Sequence, residues 1–229
     1  MNIPAHDTKI LFVRHGESLK NIQGIHGGSG QCLTEKGILE CNSVISKIQT
    51  YELNNKRTII IGHNSKQVVE TMNIFSLILN CPSIFDERIH GIHLGVANGV
   101  SRKDLKILFP NDALMLDQWR ARKISIKDLK VTNMEVVDDF YYRINDFIHS
   151  CKKNKDFNTF IVVCTTSIMI MIINIIALGA NFNFKSYYHY NVNTGDYVFA
   201  NIKTDLTIEL IETSINLDSQ TYNNQTYIQ

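Results

Sequence analysis

The chain has 229 residues, of which 44% are hydrophobic and 20% charged, with a formal net charge of +1. That length supports one large domain or two small ones, and the composition is ordinary for a globular protein. A charge so close to zero gives no basis for a nucleic-acid or membrane-surface partner.

Met1 to Thr8 carries no apolar signal region. Ile10 to Val13 is an apolar run that stops abruptly at Arg14-His15-Gly16, which predicts a buried strand ending in a loop. In open α/β sheets a strand end is where ligands sit. Arg14 brings a planar fork of donors suited to a phosphate or carboxylate. His15 brings a side chain able to act as nucleophile, acid or base near neutral pH. Gly16 lets backbone approach a ligand closely. Asn21 to Cys32 follows as a glycine-rich loop holding Gly24, Gly27, Gly28 and Gly30.

Thr34 is the predicted N-cap of a helix in which Ile38, Cys41, Ile45 and Ile48 recur at helical spacing. Thr58 to Gly62 is a β-branched strand, and His63-Asn64-Ser65 is its turn. The helix after it carries Val68, Val69, Met72, Phe75 and Leu79, and Asn80 and Pro82 end it. The segment from Ile84 to Gly99 contains His90, Gly91 and His93. Ser101 to Asp104 has capping-box form and opens a short helix ending near Phe109-Pro110. Asp112 to Val131, with Trp119, Arg120 and Arg122, is expected to be irregular and to lie over the site as a lid.

Asn133 to Asn154 is a predicted helix with Val136, Val137, Phe140, Ile144, Phe147, Ile148 and Cys151 on its core side. Phe160 to Ala180 approaches the length of a membrane span, but Cys164-Thr165-Thr166-Ser167 interrupts it and Asn174 lies within it. A buried strand (Thr159 to Cys164), a polar turn and a buried helix closed by Gly179 fit better. Asp196 to Ile202 and Leu206 to Ile211 are late strands, and 213–229 is a polar tail rich in Asn, Gln and Thr. The expectation is one α/β domain over 1–212, with about 100–132 as lid or insertion. The five cysteines are odd in number and lack metal-ligand spacing, so they are expected to be reduced thiols in a cytoplasmic protein.

The stretch Leu11-Phe12-Val13-Arg14-His15-Gly16-Glu17-Ser18, with Asn21 after it, resembles the signature of the histidine phosphatase superfamily, the phosphoglycerate-mutase-like proteins. Leu33-Thr34-Glu35-Lys36-Gly37 and the pair Glu135 and Arg143 extend the resemblance, which covers roughly 9–212. It implies a three-layer α/β sandwich around a central, mostly parallel sheet. It also implies that His15 accepts a phosphoryl group on a ring nitrogen while Arg14 and Asn21 hold that group.

The same resemblance exposes three departures. Gln67 stands where the family has a second Arg, and His63 where it has a Ser. Gly91 stands where the family has its acidic proton donor. Thr165 and Thr166 stand where it has a second His and a Gly. Loss of an Arg, a His and an acid removes charge stabilisation, usually the largest catalytic term. His63, His90 and His93 are the candidates to cover these losses. The site expected from the sequence therefore comprises His15 with Arg14, Glu17, Ser18, Asn21, Gln67, Glu135, Thr165 and Thr166. Histidine spacing is not diagnostic of a metal, so neither metal nor cofactor is expected, and the expected partner is an anionic small molecule. Oligomeric state is left open. Three functions remain: a site repurposed away from efficient phosphate-ester hydrolysis, a non-catalytic pseudophosphatase binding a ligand or protein, and a weak phosphatase or mutase working through a phosphohistidine at His15.

Overall fold

A computed structural model of the protein describes residues 8–51, 53–179 and 189–217. Three runs of mainly apolar residues form its central strands, β1 (Thr8–Arg14), β2 (Thr58–Gly62) and, further on, β4 (Thr159–Cys164). A three-residue strand, β3 (Ser83–Phe85), and two late strands, β5 (Tyr197–Ile202) and β6 (Ile208–Thr213), complete one sheet. Its order is β3-β2-β4-β1-β5-β6. The first four are parallel neighbours, whereas β5 runs antiparallel to β1 and β6 antiparallel to β5. The expected mostly parallel α/β sheet is the observed one.

Strict alternation on the central strands makes the three layers. Ile10, Phe12, Ile59, Ile61, Phe160, Val162 and Cys164 point into one buried cluster. Their neighbours Leu11, Val13, Ile60, Ile161 and Val163 point into the other. Successive side chains of a strand leave on opposite faces, so a strand apolar at every position must be covered on both. Helices α2 (Glu35–Gln49) and α3 (Lys66–Leu79) cover the second face through Cys41, Val44, Ile45, Ile48, Val68, Met72 and Phe75. The first is covered by α5 (Pro110–Arg120), α6 (Val137–Lys153) and α7 (Thr166–Leu178). Two short helices, α1 (Leu19–Gln23) and α4 (Arg102–Leu108), lie in the connections after β1 and β3.

Several boundaries differ from the sequence expectation. Asn21 lies within α1, so the glycine loop starts at Gly24. The short helix ends at Leu108–Phe109 as expected, but the expected irregular stretch 112–131 begins as α5, because Pro110 occupies the first turn of a new helix, where its missing N–H costs nothing. The helix expected from Asn133 starts at Val137; Val136 is its extended N-cap residue and is exposed. Ile38 is exposed too, and Val44 takes the inward position. Leu206 sits in the β5–β6 turn at φ 69° instead of opening a strand. Thr213 belongs to β6 and Ile215 is buried, so the first residues of the expected tail pack on the domain; the tail from 218 on lies outside the described residues. All five cysteines are free thiols. Among the described residues no helix is long and apolar enough to cross a membrane.

Candidate active site

Arg14 ends β1 opposite Cys164, the last residue of β4, and the His15 amide donates to the Cys164 carbonyl (3.0 Å). The turn after β1 and the turn after β4 therefore open side by side at the carboxyl edge of parallel strands, where such sheets bind ligands. A cavity of about 780 Å³ lies over this edge, and His15 and Thr165 both line it.

Two glycines allow the β1 turn to sit against α2. A Cβ on Gly16 would lie 2.4 Å from the Gly37 carbonyl oxygen, and one on Gly37 would lie 2.1 Å from the Glu17 carbonyl oxygen. Glu17 fastens the same junction: its carboxylate accepts from Thr34 Oγ1 (3.0 Å) and pairs with Lys36 (2.9 Å). Ser18 is buried and donates through both N and Oγ to Asn21 Oδ1 (2.9 and 2.8 Å). That leaves the Asn21 amide nitrogen as the group able to donate into the cavity.

His15 Nδ1 donates to the Gly16 carbonyl (2.8 Å), which places the remaining lone pair on Nε2. Burial, and then the neighbouring Arg14 cation, hold the ring's pKa near 3, so it is neutral at pH 7. Arg14 Nη1 donates to the Val192 carbonyl (2.7 Å), while its Nε is buried with no acceptor among the described residues. Burial also lowers the pKa of Arg14.

The opposite wall is assembled differently. Gln67, at the start of α3, is buried; its Oε1 accepts from the Gln31 amide (3.2 Å) in the glycine loop, and it does not line the cavity. Thr165 and Thr166 do line it, and Thr165 Oγ1 lies 3.3 Å from Ser167 Oγ, which in turn accepts from the Ile92 amide (3.1 Å). Gly91 faces these hydroxyls: a Cβ there would lie 2.7 Å from Thr165 Oγ1 and 3.1 Å from Ser167 Oγ. Glu135 stands behind the wall. It pairs with Arg143 through both oxygens (2.7 and 3.0 Å) and accepts from the His93 amide (3.0 Å). Arg143 also donates to the His90 carbonyl (2.7 Å), so this pair fixes the segment carrying the two histidines. Of the residues expected at the site, Arg14, His15, Asn21, His63, His90, His93, Thr165 and Thr166 meet at the cavity. Glu17, Ser18, Gln67 and Glu135 support it from behind.

His26, Arg102 and His189 join the wall with no local signal in the sequence, and Trp119 and Arg120 join it from the end of α5. Six of the seven histidines among the described residues line this cavity, together with Arg14, Lys20, Arg102 and Arg120, and no described Asp or Glu does. Burial holds His26 and His63 near pKa 4, helped by Arg120 at the first and His90 at the second. The first turn of α7 also ends here, adding the positive end of a helix dipole. Despite the histidines, no three His, Cys, Asp or Glu side chains among the described residues are grouped so as to hold a metal ion. A wall of cations and imidazoles, with no carboxylate among the described residues, is suited to an anion.

Residues 10–209 match the family model of the histidine phosphatase superfamily, branch 1. Bacillus stearothermophilus YhfR superposes with a TM-score of 0.73 at 18% identity, over 91% of this chain and 96% of that one. An alpha-ribazole phosphatase from Shigella flexneri gives 0.69 at 17% identity over 90% and 95%. A mycobacterial glucosyl-3-phosphoglycerate phosphatase in complex with VO3 gives 0.70 at 12% identity over 89% and 97%. No curated protein matches the chain by sequence.

Proposed function

Because the chain belongs to the histidine phosphatase superfamily, we propose that it binds a phosphorylated small molecule at Arg14 and His15 and that its chemistry is something other than efficient phosphate-ester hydrolysis. The observation that carries the binding is the Arg14 Nε–H, buried beside His15 with no acceptor among the described residues. An orphaned buried donor costs about 1–3 kcal/mol, and more on a charged group, which an anion would recover. Asn21 Nδ2 and the first turn of α7 supply further donors to the same oxygens.

The weakness in hydrolysis follows from the opposite wall. Gln67 brings no cation to the phosphoryl group, since it is uncharged and bonded to the glycine loop. Thr165 offers a hydroxyl and no positive charge. Among the described residues no Asp or Glu lines the cavity to protonate the leaving group. His93 is the substitute the geometry favours: its Nδ1 accepts from the Gly95 amide (3.2 Å), which leaves the proton on Nε2. With an imidazole in place of a carboxylic acid, turnover on an aryl phosphate should fall below the roughly 1–10³ per second of ordinary enzymes.

Calorimetric titration with inorganic phosphate, of the wild type and of Arg14→Ala, tests the binding. Turnover in the ordinary range on any phosphomonoester would overturn the chemical half of the proposal. Slow labelling of His15 by an aryl phosphate would instead support a weak phosphatase working through phosphohistidine. The His15 tautomer, with its lone pair on Nε2, favours that second reading.

A further inference from the structure

Helix α1 is turned the wrong way round for a surface helix. Its two aliphatic side chains, Leu19 and Ile22, are 46% and 66% exposed, while Lys20 is half-buried and lines the cavity. Lysine is ordinarily the residue that keeps its charge in water, and aliphatic side chains are the ones that turn inward. The orientation is built into the backbone. Ser18 and Asn21 cap the helix reciprocally, and the Leu19 amide donates to the Cys32 carbonyl (3.0 Å). The Lys20 carbonyl accepts from the Ile25 amide (3.1 Å), just beyond Gly24, whose φ of 63° ends the helix.

The rings around Lys20 locate its ammonium. His15 follows β1 and His63 follows β2, with β4 between these strands, so their backbones leave the sheet roughly 10 Å apart. His26 comes in from the glycine loop. Burial is the main cause that lowers the pKa of all three rings, and the Lys20 charge adds to it at each. A charge felt at His15, His63 and His26 together stands over the end of β4, where Thr165 and Thr166 open α7 into the cavity. Burial, and then Arg14, lower the pKa of Lys20 itself, so the two cations share this space. An oxyanion between them relieves their repulsion.

We propose that Lys20 is the second cation of the phosphoryl site: Arg14 holds the group from the β1 side, and the Lys20 ammonium donates to its oxygens from over the end of β4. In phosphoryl transfer the charge is spread over three equatorial oxygens, and positioning and charge stabilisation do most of the catalysis. Gln67 and Thr165 bring no charge to this side, and Lys20 brings it from a different element. That the bound group is phosphoryl rests on the function proposed above; the position of Lys20 rests on the inverted face of α1 and on the three rings.

Lys20 differs from Arg14 in being able to lose its proton in an accessible range. Its charged form is the one that binds, so affinity is full below its pKa and falls as pH rises through it. A pKa lowered from 10.5 brings that fall within reach. The test is calorimetric titration of the full chain with inorganic phosphate between about pH 8 and pH 10, where the probe stays a dianion. The wild type should lose affinity across this range. Lys20→Arg should bind within about threefold of the wild type at the lower pH and hold its affinity at the higher, since a guanidinium stays charged. Lys20→Met keeps the stem; it should bind at least about tenfold more weakly at the lower pH, the value of one charge-assisted contact, and show no further fall. If Lys20→Met does not fold, the profiles of the wild type and Lys20→Arg still decide. Affinity unchanged in Lys20→Met, or a fall with pH that is as steep in Lys20→Arg as in the wild type, overturns the assignment. Arg14→Ala separates it from the reading it rests on. Affinity that depends on Arg14 and not on Lys20 overturns the role of Lys20 alone. Affinity that depends on Lys20 and not on Arg14 overturns the Arg14 end and upholds this one, and no binding by the wild type overturns both.

Discussion

The two sides of the cavity use polar side chains in opposite ways. On the β1–α1 side the groups facing the cavity are kept available by others behind them: Ser18 takes the Asn21 carbonyl, Gly16 accepts the His15 Nδ1–H, and Arg14 Nε has no acceptor among the described residues. On the side built after β2 and β4 the polar groups satisfy one another. Gln67 holds the Gln31 amide, and Thr165 contacts Ser167, which holds the Ile92 amide. The difference teaches that the second side has no vacant positions: Gln67 and Thr165 are bonded internally, and the space beside Gly91 is taken by Thr165 and Ser167. A larger or charged side chain at any of these positions therefore disturbs the protein before it can serve a ligand.

Acid should produce the largest effect, because it acts on both sides at once. His15 is held near pKa 3, and His26 and His63 near 4, against 6.5 for an unburied imidazole. Between pH 6.5 and 4 the unfolded chain therefore binds more protons than the folded one, and the unfolding free energy falls as pH falls. The contribution of the neutral rings is complete above pH 6.5 and is lost on the way down. Urea unfolding midpoints should drop between pH 7 and 5, a window chosen to stay clear of most carboxylates. Phosphate should reduce the drop, since a bound anion favours the protonated rings and binds the folded state. In His26→Gln/His63→Gln the drop should be shallower; an equally steep one would place the proton uptake elsewhere.

Next in size is the contrast between single substitutions on the two sides. Arg14→Ala should weaken inorganic phosphate binding by on the order of a hundredfold, because it removes charge-assisted bonds of about 1.5–3 kcal/mol each. Thr165→Ala should change it by less than about threefold. Similar losses in the two variants would erase the distinction between the sides.

Much of the first side was legible in the sequence and little of the second. An apolar run stopping at Arg14-His15-Gly16 locates a strand end, and Thr34 and Ser101 cap their helices as their spacing suggests. These signals are local. What Gln67, Glu135 and Ser18 do depends on partners 3 to 42 residues away and on which way each side chain turns. His26 and His189 are 163 positions apart in sequence yet share one cavity with Arg120, and nothing in their own neighbourhoods announces it. Strand β3 escaped notice because all three of its residues are exposed, so its pairing with β2 carries no burial pattern.

Gly91→Glu, which would place a carboxylic acid on this wall, should destabilise the fold by about 1–3 kcal/mol, the usual range for overpacking. Its backbone is not the obstacle, since Gly91 is absent from the positive-φ residues. The obstacle is Thr165 Oγ1, 2.7 Å from the new Cβ. Gly91→Glu/Thr165→Ala should recover part of the loss in urea unfolding. Equal stability of the single and double variants would show that the crowding comes from Ser167 or the backbone.

Gln67→Arg has the smallest expected effect on stability, about 1 kcal/mol, and is the sharpest probe of the comparison. Gln67 Oε1 is the acceptor for the Gln31 amide, and Gly30 packs directly on it, with a hypothetical Cβ only 1.8 Å away. A guanidinium has donors and no acceptor, so Arg cannot keep that bond. The side chain is also longer and must leave its buried position, and the available direction is the cavity. Freed of its anchor, the loop should open locally: hydrogen exchange at the Gln31 and Lys66 amides should quicken, the latter because it donates to Ser29 in the same loop (2.9 Å). Gln67→Glu keeps an acceptor and should leave exchange at Gln31 slow. Gln67→Met removes the acceptor without adding charge and should match Gln67→Arg in exchange, separating loss of the bond from arrival of a cation. If Gln67→Arg were as stable as the wild type, with slow exchange at Gln31 and tighter phosphate binding, the second side would be a phosphate site one residue short, and not a wall bonded to itself.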